Sequence, residues 1–98
     1  MEEHTMTSIF IRHRVADYDT WKVGYDSADH LRKSDGIIFA SVHRDSQDPN
    51  TVIVLHRFHN LADAQKFLAS VPPVMAAAGV VGQPEIWVGE DIEHTNYN

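Results

Sequence analysis

Ninety-eight residues leave room for one hydrophobic core, so the chain reads as a single domain, 1–98, with its ordered core from about residue 6 to about residue 92. With no cysteine it holds neither a disulfide, a thiolate nucleophile nor a zinc-thiolate site. A net charge of -6, from eight basic residues scattered among fourteen acids, argues against a nucleic-acid partner, and no run is apolar and uncharged long enough for a membrane span.

The first residues, Met-Glu-Glu-His-Thr, are acidic and polar and lack the basic and apolar regions of a secretory signal, which makes a cytoplasmic protein the expectation. Over 9–15, apolar side chains fall at every second position (Ile9, Ile11, Val15), as a half-buried strand requires. The period then changes: Tyr18, Trp21, Tyr25, Ala28 and Leu31 recur at threes and fours and predict one helix, capped by Asp17 or Asp19 and ended by Lys33-Ser34-Asp35-Gly36. Residues 36–44 are β-branched and aromatic and predict a second strand. Asp45 to Asn50 reads as a turn into a third strand over 51–59, making a hairpin. Asn60 caps a second helix whose stripe is Leu61, Ala64, Leu68 and Val71, with Phe67 at its margin. The Pro72-Pro73 pair should interrupt it and open a short helix over 74–78, closed by Gly79. Residues 79–82 read as a helix end and turn, 85–89 as the fourth strand and 90–98 as a polar tail.

This order, strand, helix, strand, strand, helix, strand, is the ferredoxin-like βαββαβ pattern, an α+β fold with an antiparallel sheet. Two helices cover one face of such a sheet. Yet the second and third strands are apolar in both parities: Ile37 and Phe39 against Ile38, Ala40 and Val42, and Val52 and Val54 against Ile53 and Leu55. The other face therefore needs a cover, and a second copy of the chain supplies one, with the end of the fourth strand, around 88–92, reaching across to the partner's sheet.

Four segments carry a resemblance: Arg12-His13-Arg14-Val15-Ala16-Asp17-Tyr18-Asp19-Thr20-Trp21, Asp48-Pro49-Asn50, Asn60-Leu61-Ala62-Asp63-Ala64-Gln65-Lys66-Phe67, and the run from Met75 through Gly79 to Pro84-Glu85-Ile86. Over about residues 8 to 91 the chain resembles the dimeric α+β barrel superfamily, and within it the antibiotic-biosynthesis-monooxygenase-like proteins and small "cyclases". The resemblance implies a homodimer with a cavity between each sheet and its mate. It also implies relatives that oxygenate aromatic polyketides without a cofactor, break down haem, isomerise, or have no known reaction. Where relatives often carry an acidic residue after an aliphatic one at the end of the third strand, this chain has His56-Arg57-Phe58-His59.

Seven histidines are the composition's hint of chemistry. His13, His43 and His56 lie on three strands near one level, where imidazoles can act as general base or bind an oxyanion; the alternative places them at a dimer seam or rim. A metal is disfavoured, because His56 and His59, three apart on a strand, point to opposite faces. Arg12, Arg14, Arg44 and Arg57 also sit on strands, where a guanidinium can bind a carboxylate or phenolate or pair with an acid at the strand end. Phe10, Phe39 and Trp87 can wall a planar ligand or simply fill the core, and Tyr18, Trp21 and Tyr25 read as helix-face core. No glycine-rich phosphate loop, Ser-His-Asp motif or dinucleotide fingerprint is present. The expectation is a cofactor-free, metal-free oxygenase or cyclase acting on a small aromatic or polyketide-like molecule. In it His56 or His43 is the base and Arg57 or Arg12 the cation, while His13, Arg12, Phe10, Phe39 and Trp87 bind the substrate. The alternative is a non-catalytic binding or structural homodimer.

Overall fold

The computed structural model describes residues 5–77 and 79–97, with side chains for all of these except 71–77. Its elements run β1 (Thr7–Val15), α1 (Tyr18–Ser27), α2 (Asp29–Ser34), β2 (Ile37–Arg44), β3 (Thr51–Phe58), α3 (Leu61–Ala77) and β4 (Val80–Glu90). The four strands form one antiparallel sheet in the order β2-β3-β1-β4, the ferredoxin-like arrangement. The helices cover one face.

Alternation along the two central strands decides what each face holds. On β1, Ile9, Ile11, His13 and Val15 point to the helices while Phe10, Arg12 and Arg14 point away. Ile9 stands opposite His56, Ile11 opposite Val54 and His13 opposite Val52, so the inward set of β3 is Val52, Val54, His56 and Phe58. These side chains, with Trp21 from α1 and Ala64 from α3, make the core.

Asp17 is the cap of α1: its carboxylate accepts from the Thr20 backbone N–H at 2.9 Å, which satisfies a free donor and holds the Asp17 carboxyl below its usual range. Asn60 does the same for α3 through Asp63. Asn50 ties the hairpin turn to the helix layer, its side-chain oxygen accepting from the Tyr18 N–H at 2.9 Å.

Three elements differ from the sequence expectation. The first helix is two: the Tyr25 carbonyl accepts from the Ala28 backbone N–H at 3.2 Å and from the Arg32 guanidinium at 2.6 Å, and the chain turns at Ala28 before α2. The fourth strand begins at Val80 rather than at 85, because a bulge sets one residue of β1, His13, against three of β4 between the pairs Arg12–Glu85 and Arg14–Val81. Gly82, at φ +74, supplies the left-handed residue that this bulge needs, so 79–82 is not only a helix end. Finally, α3 runs through Pro72-Pro73. Proline removes an N–H, but its fixed φ is itself helical, and the helix is not ended there. Ala78, the expected last residue of the short helix, lies outside the described residues.

Candidate active site

A cavity of about 160 Å³ lies between the sheet and the helices. Its floor is Ile11, His13, Val54 and His56 on the inward face of β1 and β3; its walls include Trp21, Tyr25 and Arg32 from α1 and α2 and Phe67 from α3. Gly24, Leu31, Asp35 and Ser70 line it too and are exposed, which marks the mouth. An apolar cavity of about 150 Å³ admits one benzene-sized ring.

An aromatic chain builds the wall. Trp21 packs edge-on to His13 at 5.6 Å between ring centres and stacks on Tyr25 at 4.9 Å; Tyr25 stacks on His56 at 6.1 Å; Phe67 meets His56 edge-on at 5.4 Å. Helical spacing puts Trp21 and Tyr25 on one stripe, four residues apart, so the pair is dictated by α1 itself.

Polar groups are few and specific. The Tyr25 hydroxyl lies 2.9 Å from Nε2 of His56. His56 is 4% exposed; burial, reinforced by the nearby Arg32 charge, pulls its ring down to about 4, so it is neutral at pH 7. His13 is also pulled down by burial. Burial pushes the Tyr25 phenol up, against the opposing pull of Arg32. Both His13 nitrogens and His56 Nδ1 have no partner among the described residues, a condition that costs roughly 1–3 kcal/mol for each buried group. The Arg32 side chain, 12% exposed, lies over the Tyr25 ring at 3.6 Å.

Of the eight residues the sequence singles out, His13 and His56 meet at this cavity. The other six stand on the opposite, helix-free face. Adjacent residues on a strand cannot share a face, so Arg57 is turned away from His56, and His43 pairs in register with Ile53, whose side chain also points away from the helices. Arg57 contacts Asp91 at 2.7 Å and lies over the Phe39 ring at 4.8 Å. Arg12 pairs with Glu85 at 2.8 Å, and His43 bonds the Ser41 hydroxyl at 3.0 Å. Phe10, Phe39 and Trp87 are exposed on that face, Trp87 at 52%. Of the three strand histidines, some of which the sequence could bring together, His13 and His56 line one cavity and His43 does not, and the cavity on the described residues is behind the sheet. Among them, no three His, Asp or Glu side chains gather as a metal cluster, and no helix is long and apolar enough to cross a membrane.

No protein-family model matches the chain, and no curated protein matches it. Solved structures do. A protein of unknown function from Nitrosomonas europaea superposes with a TM-score of 0.74 at 19% identity, covering 99% of both chains. A proposed antibiotic biosynthesis monooxygenase from the same organism gives 0.74 at 10% identity, over 98% of this chain and 99% of that one. A variant of SnoaB, described as a cofactor-independent oxygenase from Streptomyces nogalater, gives 0.73 at 12% identity, over 91% of this chain and 95% of that one. The chain has the antibiotic-biosynthesis-monooxygenase-like fold. A dimeric ferredoxin-like protein from an uncultured marine organism shares it, with a TM-score of 0.64 at 11% identity over 93% of this chain and 99% of that one.

Within this monooxygenase-like fold, sequence reasoning missed Tyr25 and Arg32. A signal existed for both. Tyr25 puts a hydroxyl on an otherwise apolar helical stripe, and a buried phenol needs a partner. Arg32 follows it by seven residues, two helical turns, which returns it to that stripe.

Proposed function

We propose that this protein is a cofactor-independent oxygenase that deprotonates a small aromatic molecule in the cavity between its sheet and its helices and passes the resulting anion to dioxygen. One observation carries the reading: the Tyr25–His56 pair, 2.9 Å apart, in the wall of an apolar cavity sized for one ring. His56 is the base. In the tautomer where the Tyr25 hydroxyl donates to Nε2, that nitrogen takes the substrate proton through the hydroxyl, while Nδ1 is buried away from the cavity. Arg32, in place of the expected Arg57 or Arg12, is the cation whose field favours the anion formed. The dry walls leave the electron-rich anion with dioxygen as its acceptor. In the overall step the substrate loses two hydrogens, one from O–H and one from a ring C–H; one oxygen atom enters as a new carbonyl and the other leaves as water. A base pulled down to about 4 is weak, so the substrate must itself be acidic, a phenol or enol conjugated to a carbonyl.

The helix-free face supports the assembly part of the reading. Phe10, Phe39 and Trp87 are exposed across it, as is Ile92 beyond β4, and a second copy packed sheet to sheet covers them. The test is dioxygen uptake over a panel of acidic phenols and enols. Wild type should turn over at least one member, and His56→Gln should lower that rate at least about a hundredfold. Wild-type rate in the folded variant would sink His56 as base; no uptake with any member would sink the oxygenase reading in favour of a binding or structural dimer.

A further inference from the structure

Gly24 is the seventh residue of α1, inside a helix of ten. Glycine there weakens the helix relative to alanine, which calls for a backbone or packing reason. Neither is present. The glycines with positive φ are Gly36, Gly79 and Gly82, so no left-handed conformation demands a glycine at 24. A Cβ placed on Gly24 would meet no heavy atom within 4 Å beyond its own helix backbone and chain neighbours, among the described residues, so no close approach excludes a side chain either. What the position borders is the cavity. Gly24 lines it together with Trp21, three residues before, and Ala28, four after, and is exposed at the mouth with Leu31 and Asp35 of α2 and Ser70 of α3. A helical side chain leans toward the turn before it, so bulk at 24 would stand over the Trp21 edge of that opening. Since the cavity holds about one benzene-sized ring, a substituent that lengthens the ring has to leave through the mouth.

We propose that Gly24 determines specificity at this mouth: the room left by its missing side chain lets a single-ring ligand seat its ring in the cavity while an unbranched chain on that ring runs outward past α1. The proposal rests on the reading of this cavity as the substrate site, and adds which residue sets the length of substrate it takes.

Three phenols of matched acidity test it: 4-hydroxyacetophenone, 4-hydroxybutyrophenone and 4-hydroxyhexanophenone, which share one conjugated ring and differ only in the length of the acyl chain. Each is titrated calorimetrically into the full chain at pH 6.5 under argon. Wild type should bind the longest at least as tightly as the shortest. In Gly24→Leu the order should reverse: the longest should weaken at least about tenfold while the shortest stays within about threefold of wild type. Alanine and leucine are both strong helix formers, so Gly24→Ala and Gly24→Leu should each raise the urea midpoint. A lower midpoint in either variant means that the space is not open and overturns the proposal. Equal loss of all three probes in Gly24→Leu, an unchanged order there, a wild type that rejects the longest probe, or no wild-type binding at millimolar probe each overturns it too. Binding is read without turnover, so the expected reversal with no dioxygen uptake sinks only the oxygenase reading. Turnover whose dependence on chain length is the same in wild type and Gly24→Leu sinks only this proposal.

Discussion

Acidification should destabilise this protein through His56 by an amount that can be worked out in advance. The ring ionises at an ordinary 6.5 in the unfolded chain and at about 4 in the folded one, because it is buried and Arg32 is near. Between those values the unfolded chain binds a proton that the folded chain refuses, so stability rises with pH across the window. The contribution is intact above 6.5, is lost progressively as pH falls toward 4, and is flat below. At 1.36 kcal/mol per pH unit, the full loss is about 3 kcal/mol, and about 2–3 kcal/mol of it has gone by pH 4.5. His13, also pulled down by burial, adds loss of the same sign. Asp17 and Asp48, held below their usual range by hydrogen bonds from Thr20 and Thr51, lose stability at lower pH too, but equally in a variant that keeps them. Urea melts of wild type and His56→Gln at pH 7.5 and 4.5, at one protein concentration, isolate the His56 share. Wild type should lose about 2–3 kcal/mol more than the variant on acidification. Equal losses, or a His56 imidazole resonance that titrates near 6.5, would refute the reasoning.

Replacing Arg32 by Gln removes a positive charge felt by His56, so the His56 titration should move up in the imidazole NMR spectrum; an unmoved midpoint would show that burial alone sets it. Light scattering at micromolar protein should give a dimer mass, and Phe39→Asp should give a folded monomer, since a carboxylate in a buried sheet-to-sheet contact has no partner; a wild-type monomer contradicts the assembly. Asp17→Ala removes the bond to the Thr20 N–H and should cost about 1 kcal/mol in a denaturant melt, and an unchanged midpoint would mean that the cap contributes nothing.

The strand order and the two-faced sheet were legible because alternation and β-branched runs depend on residues adjacent in sequence, and so were the caps at Asp17 and Asn60. What was not legible depends on contacts made after folding. The break at Ala28 is accompanied by the Arg32 guanidinium reaching back seven residues to the Tyr25 carbonyl, which no helical period records. The early start of β4 comes from a bulge that absorbs Gly82 and Pro84, two residues that otherwise read as breakers. The site divides the same way. His13 and His56 were read as candidates from residue type, but which of the strand residues share a face follows from register, and register places His43, Arg12 and Arg57 on the far side. Phe67, at the margin of its stripe in the sequence, packs against both His56 and Phe58, contacts that only the packing of α3 on the sheet creates.

The central claim is that the cavity behind the sheet, not the open sheet face, takes the ligand. Histidine-selective isotope labelling tests it most directly, by following every imidazole while 4-hydroxyacetophenone is added. The account predicts that the His13 and His56 resonances shift together and saturate, while His43 on the open face stays where it was. Shifts at His43 with His13 and His56 unmoved would contradict it.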